Sequence, residues 1–317
     1  MRASSLVVLV GATGSGKTGL ALQLAERFDG ALELVSLDSR QIYRGLDLGT
    51  GKPTPSERER LPHHLIDLID PDQRFDAGRY RRAVEELLPR LWDRGVTPIV
   101  VGGAGFYLRA LEEGFFDLPR NDALLAQLRR QWQRLPKEEL RRRLLEVDPQ
   151  SAERLHPNDR YRMERALEIH ALTGRSMSEQ ARDFTPRPVL DLRLRVFHLQ
   201  WPRWTLHARI ARRAEAWLDG GWIEETRGLL AQGWSPDSPG LRILGYREIV
   251  DHLAGRIDRR ALEERVVIET RRYARRQETW FRKHPVELRA TGEDPALVEQ
   301  ILRALEASRP LDTSGRP

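Results

Sequence analysis

The stretch LVVLVGATGSGKTGL, residues 6–20, decides the fold. Leu6, Val7, Val8, Leu9 and Val10 make a short apolar run, the pattern of a strand buried on both faces. Gly11, Ala12, Thr13, Gly14, Ser15, Gly16, Lys17 and Thr18 follow, and they satisfy G-x-x-x-x-G-K-[ST] in full. Residues 20–28 carry a helix signal behind it. Glycines let backbone N–H groups converge on phosphate oxygens, and a helix N-terminus adds partial positive charge. Lys17 supplies a mobile point charge, and the Thr18 hydroxyl is placed for a phosphate-bound Mg2+. An ordinary glycine-rich turn is the plainer reading. The strand before it and the helix behind it favour a loop that holds a polyphosphate.

Around this loop, composition sets bounds. The chain has 317 residues, enough for one large domain or two small ones. It contains no cysteine, which excludes disulfides and Cys-based zinc sites. The N-terminal apolar run is too short for a signal peptide, and no run reaches the length of a membrane span, so a cytoplasmic protein is expected. The formal net charge is +6, with arginine outnumbering lysine. A basic surface serves solubility or attracts nucleic acid, and charge alone does not choose between them.

Residues 32–37 read as a second strand ending at Asp38, Ser39, Arg40 and Gln41. An acid at a strand end near a phosphate loop holds Mg2+ or accepts a proton, or else simply forms a turn. The loop at 49–53 is too rich in Gly and Pro for regular structure. His63 and His64 would point to opposite faces of a strand, which argues against a shared metal and for structural roles. Residues 79–92 form an amphipathic helix, and 98–101 another buried strand that ends in Gly102 and Gly103. Repeated strand–helix units with apolar strands mean a doubly wound α/β core.

From 114 the pattern turns helical and basic: 121–135, 137–147, 150–155 and 160–173, broken by Pro136, Pro149 and Pro157. A linker at 184–190 returns to a strand at 192–199. Core segments 1–113 and 191–317 thus enclose a helical insertion, 114–190. Helices follow at 205–218, 223–231, 246–253 and 262–283, and the tail after Ser308 is expected to be disordered. On the long helix Val266, Thr270, Tyr273, Gln277 and Trp280 follow core spacing. Arg271, Arg275 and Arg282 lie on an adjacent face and Arg272 and Arg276 on another: a solvated surface or an RNA-phosphate track.

Seven stretches together resemble one family, the tRNA dimethylallyltransferases (tRNA isopentenyltransferases). They are GATGSGKT (11–18), DSRQIYRGLDLGTGKP (38–53), PHHLID (62–67), VGGAGFYLRAL (101–111), HPNDRYRMERALE (156–168), LRILGYRE (241–248) and TRRYARRQETWFRK (270–283). The absence of cysteine indicates the bacterial type, without a zinc finger. The resemblance implies an α/β fold with a P-loop NTPase-like parallel sheet and a mainly helical insertion domain contacting tRNA. It also implies transfer of a dimethylallyl group from dimethylallyl diphosphate to N6 of the adenosine at tRNA position 37. Lys17, Thr18 with Mg2+, Arg213 and the loop of Gly11, Ala12, Thr13, Gly14, Ser15 and Gly16 would hold the departing diphosphate, and Asp38 would be the general base. By the same resemblance tRNA contacts fall on Asp38, Ser39, Arg40 and Gln41, on Ala104, on Tyr161, Arg162, Met163, Glu164 and Arg165, and on Arg242, Ile243, Leu244, Gly245, Tyr246 and Arg247. Three positions depart from the family pattern: Ala104 stands where threonine is usual, Arg40 where a smaller or apolar residue is usual, and Gly51 where alanine is usual. No feature calls for more than a monomer. A P-loop small-molecule kinase is the chief alternative, sharing the opening stretch but lacking the HPND and GYRE motifs. A non-catalytic RNA-binding switch protein is a second.

Overall fold

The computed structural model describes residues 4–114, 119 and 121–310. Strand β1 (Ser5–Gly11) leads through the phosphate loop into α1 (Lys17–Arg27) and β2 (Leu32–Leu37). There follow α2 (Pro55–Arg60), the two-residue β3 (His63–His64), α3 (Ala77–Asp93), β4 (Thr97–Gly102) and α4 (Gly105–Glu113). Five helices come next: α5 (Asp122–Gln133), α6 (Lys137–Val147), α7 (Pro149–Arg154), α8 (Arg160–Thr173) and α9 (Met177–Asp183). After a single turn at Val189–Asp191 the chain forms β5 (Arg193–Leu199), α10 (Arg203–Trp217), α11 (Ile223–Ala231), α12 (Tyr246–Leu253) and α13 (Arg259–Arg282). It closes with β6 (Leu288–Ala290) and α14 (Pro295–Glu306).

The six strands form one sheet in the order β3-β2-β4-β1-β5-β6, every pairing parallel. All seven residues of β1 are buried, as its unbroken apolar run requires of a central parallel strand. Val8 lies opposite Val100 on one side and Val196 on the other. Val7 and Leu9 pack with Leu20 and Leu24 of α1 and with Leu297, Ile301 and Leu305 of α14. From β1 the chain runs first to one side of the sheet and later to the other. The carboxyl ends of β1 and its neighbours therefore flank a topological switch point, where doubly wound sheets bind ligands. The phosphate loop, Asp38 and the Gly102–Gly103 turn all sit at those ends.

The chain divides into two compact units, Met1–Glu112 with Pro188–Pro317, and Glu113–Arg187. The second has a core of its own: Trp132, Leu140, Leu144, Ala152, Leu155, Met163, Ala166 and Leu167. Met163, expected to touch tRNA, is instead 0% exposed in that core, its side chain packed inside the unit.

Helix α1 begins at Lys17, a turn before its apolar spacing starts at Leu20, because the last residues of the phosphate loop are its first turn. Helix α13 starts at Arg259, where the Asp258 side chain accepts from the Ala261 N–H and caps it. Strand β6 and helices α2, α9 and α14 have no counterpart in the sequence-based expectations. Ser308 is buried and its hydroxyl meets that of Ser5 at 2.7 Å; of the tail expected to be disordered, 311–317 lie outside the described residues. No helix among the described residues is long and apolar enough to cross a membrane.

Candidate active site

Gly14 and Gly16 have φ of +83° and +94°, a region closed to most side chains, and a Cβ at Gly16 would stand 2.8 Å from the Arg209 guanidinium. No side chain caps α1 at Gly16. Its first-turn N–H groups, which have no intrahelical acceptor, are left for whatever fills the loop. Lys17 Nζ folds back onto the carbonyls of Gly11 and Ala12, both at 2.9 Å. Burial lowers its pKa to about 8, opposed in part by the negative charge of Asp38.

Distant residues fix the loop from outside. The Trp201 indole N–H donates to the Ser15 carbonyl at 2.7 Å, and Arg209 donates to that of Gly14 at 3.0 Å while lying over the Trp201 ring. Arg213, one turn further along α10, donates to the Thr13 hydroxyl at 2.6 Å and stacks on Trp217. Burial and the neighbouring Arg40 charge bring the Arg213 pKa down to about 10, so it remains a cation at neutral pH. Gln277 of α13 accepts from the Thr13 N–H at 2.9 Å and donates to the Gly103 carbonyl at 2.8 Å. None of Trp201, Arg209 or Gln277 was assigned to the site from sequence. A polar amide inside the apolar stripe of α13 is the signal that points to Gln277, because a buried amide needs partners.

The opposite wall follows β2. Asp38 Oδ1 accepts from the Arg40 N–H at 2.8 Å, a turn that fixes the carboxylate at the strand end. The Arg40 guanidinium lies 3.7 Å from the centre of the Tyr273 ring. Gln41 accepts from the Ser36 hydroxyl and donates to the Gly51 carbonyl, both at 2.9 Å. The buried Lys52 ammonium meets the Tyr43 carbonyl, Asp47 and Asp67, at 2.6, 2.6 and 2.5 Å. It ties the GTGKP loop to the PHHLID segment. His63 bonds the Leu61 carbonyl and His64 the Glu33 carboxylate. No group of three His, Asp or Glu residues able to hold a metal occurs among the described residues.

Two cavities open onto these residues. One, the roomier, is lined by the phosphate loop with Gln41, His63 and Gln277. The other, narrower, is walled by Ile210, Trp217, Trp222, Leu244, Val266 and Tyr273. Thr13, Asp38, Thr50 and Arg213 line both. A carboxylate and a guanidinium therefore line both, one beside the loop glycines and Lys17 and one walled mainly by rings and aliphatic groups.

The remaining candidates are distributed unevenly. Ser39 is half-buried beside Asp38. Ala104 donates its N–H to the Leu37 carbonyl at 3.1 Å and immediately precedes α4. Leu244 reaches the second cavity, Ile243 is half-buried, and Arg242 is exposed and paired with Asp237. Gly245 backs onto the Trp222 ring. Tyr246, expected as a tRNA contact, is 0% exposed; its hydroxyl donates to Glu225 at 2.5 Å and accepts from the Gly49 N–H. It is a core strut under the GTGKP loop. Arg247 pairs with Glu248, whose carboxylate holds the Gly245 N–H at 2.7 Å. In the insertion unit Tyr161 is 69% exposed, while Arg162 pairs with Asp159, Glu164 with Arg160 and Arg165 with Glu168.

The parallel sheet, the glycine loop and the helix N-terminus define a P-loop NTPase-like protein, with Asp38 beside the loop and lining both cavities. Residues 41–284 match the family model described as IPP transferase, and residues 4–71 the one described as isopentenyl transferase. The chain belongs to the IPP transferase family. It is similar to tRNA dimethylallyltransferase 2 of Geotalea uraniireducens, with 44% identity over 88% of this chain and 89% of that one. Among solved structures it resembles the tRNA isopentenylpyrophosphate transferase of Staphylococcus epidermidis, at 32% identity and TM-score 0.66, covering 95% of this chain and 98% of that one. It also resembles a eukaryotic dimethylallyltransferase acting on tRNA, at 26% identity and TM-score 0.79, covering 99% of this chain and 82% of that one.

Proposed function

We propose that this chain transfers a dimethylallyl group from dimethylallyl diphosphate to N6 of the adenosine at tRNA position 37, releasing diphosphate. The observation that carries the reading is the pair of cavities sharing Asp38 and Arg213. The diphosphate takes the loop side and the extruded adenine comes to Asp38, since a base in a stacked loop has to leave the stack to react. N6 bonds to the allylic carbon as the bond from that carbon to the diphosphate oxygen breaks. The N6 proton passes to the Asp38 carboxylate. Lys17, Arg213 and the N–H groups of Gly14, Ser15, Gly16 and Lys17 take up the charge that develops on the diphosphate.

A divalent cation fits the donors present. Thr18 offers one hydroxyl at the loop, and Mg2+ keeps several waters and binds mainly through substrate phosphates rather than in an all-protein cage. Thr18 would hold it, and when bound it neutralises phosphate charge. The insertion unit, through Tyr161, Arg162 and Arg165, and the arginines of α13 supply contacts to the anticodon stem-loop. A monomer acting in the cytoplasm accords with this chemistry.

The relatives' names support prenyl transfer over a small-molecule kinase. The test is purified chain with Mg2+, labelled dimethylallyl diphosphate and unmodified tRNA bearing adenosine 3′ of the anticodon. Label is expected in the tRNA; phosphoryl transfer from ATP with no label in RNA would replace this reading with the kinase.

A further inference from the structure

Helix α13 runs for 24 residues and has two characters. Arg272, Arg275 and Arg276 are exposed, while Leu262, Val266, Thr270, Ala274, Gln277 and Phe281 are buried. Within that buried stripe the Thr270 hydroxyl is satisfied inside its own helix, on the Val266 carbonyl. Gln277, 7% exposed, instead reaches outward to two backbone groups of other elements. One is the Thr13 N–H of the phosphate loop and the other the Gly103 carbonyl after β4.

Both bonds lead to groups of the reaction centre. Thr13 takes the Arg213 guanidinium on its hydroxyl, so the loop end that Gln277 holds by its N–H holds Arg213 by its side chain. Gly103 donates its own N–H to the Leu37 carbonyl at 3.1 Å, and Asp38 is the next residue. The amide thus lies between the strand end that carries the carboxylate and the loop end that orients the cation. Position 103 is shaped around it: a Cβ there would stand 2.3 Å from Gln277 Nε2. An apolar residue at 277 would fill the same space but leave the Thr13 N–H and the Gly103 carbonyl without this partner.

We infer that Gln277 is a positioning residue for the transfer reaction, setting the phosphate loop against the end of β4 so that Thr13 directs Arg213 to the junction of the two cavities. This rests on the reading in which Arg213 and Asp38 serve diphosphate and adenine. The helix whose outer face carries the basic track is then also the helix that registers the anion site.

The test uses the full chain, Mg2+, dimethylallyl diphosphate and unmodified tRNA. Gln277→Met keeps the volume and deletes both bonds; kcat is expected to fall between about tenfold and a hundredfold. KM for tRNA should stay within about threefold, because the exposed arginines are untouched. In an Arg213→Ala background the same change should cost less than about threefold more, since both residues act through Thr13. Gln277→Leu, which also deletes both bonds, should show the same loss of kcat; it stands in if the methionine variant fails a thermal-melting check. Losses that multiply in the double variant would make Gln277 a packing residue and overturn the inference. Unchanged kcat in Gln277→Met, beside an active wild type, would overturn it and leave the proposed reaction standing. A wild type that transfers no label overturns both.

Discussion

The two cavities at the end of the sheet are made of different material. One takes five glycines, Lys17 and Thr18 from the phosphate loop and neighbouring turns, and the loop is held by side chains that do not line it: Trp201 and Arg209 bond loop carbonyls from behind. The other side is mostly rings and aliphatic side chains from α10, α13 and the segment before α12. The phosphate loop sits in one contiguous stretch of sequence, and the walls of the other cavity do not. The contrast shows why the first is legible as a motif and the second only as a fold. It also predicts different responses to substitution: the junction and cradle should act on turnover and anion affinity, the chamber walls on fit.

The largest effect should come at the junction. Asp38→Ala removes the proposed proton acceptor, and turnover should fall by about 10²–10⁴ while tRNA affinity holds; single-turnover label transfer beside a filter-binding assay measures both. Unchanged turnover would take Asp38 out of the chemistry.

Next comes the pH response of the cradle. Lys17, brought to about 8 by burial, binds anions only when protonated. It is charged below that pH and neutral above it, so magnesium pyrophosphate affinity should be flat up to about pH 8 and then weaken. Above that point one required proton gives up to about tenfold per pH unit. Arg213, at about 10, stays charged through most of this window. Titration calorimetry across pH 7–9.5 reads the break, and Lys17→Met should abolish it.

The smallest effect belongs to the chamber wall. Trp217→Leu removes the ring under Arg213 and the edge-on contact with Trp222. Losing one cation–π contact of about 0.5–1 kcal/mol should lower kcat/KM two- to fivefold. A loss as large as that of Asp38→Ala would mean that the wall takes part in the chemistry.

Much of this was written locally in the chain. The phosphate loop, β2 and the glycine end of β4 are each set by a few consecutive residues, and Asp38 follows directly from β2. The insertion showed itself by prolines between helical runs. What stayed hidden depends on contacts between residues far apart in sequence. Gln277 and Thr13 are 264 positions apart, and helical spacing marks Gln277 as core without saying what the amide binds. Tyr273 and Trp280 share that spacing but are only partly buried, and Tyr273 walls the second cavity, while Ala274 and Phe281 turn inward. Met163 and Tyr246 lie in motifs full of charged residues, which suggests a surface, yet each fills a core. Strand β6 is three residues long, too short for a pattern. Helix α14 does carry apolar spacing at Leu297, Ile301 and Leu305, but no motif draws attention to it.

The central claim is that an anion and an RNA base occupy adjoining chambers at the same time. Its most direct test is the affinity of an unmodified anticodon stem-loop with and without saturating magnesium pyrophosphate. The account predicts RNA binding that is unchanged or tighter when the anion is present. Mutually exclusive binding, with RNA affinity falling in proportion to pyrophosphate, would contradict it.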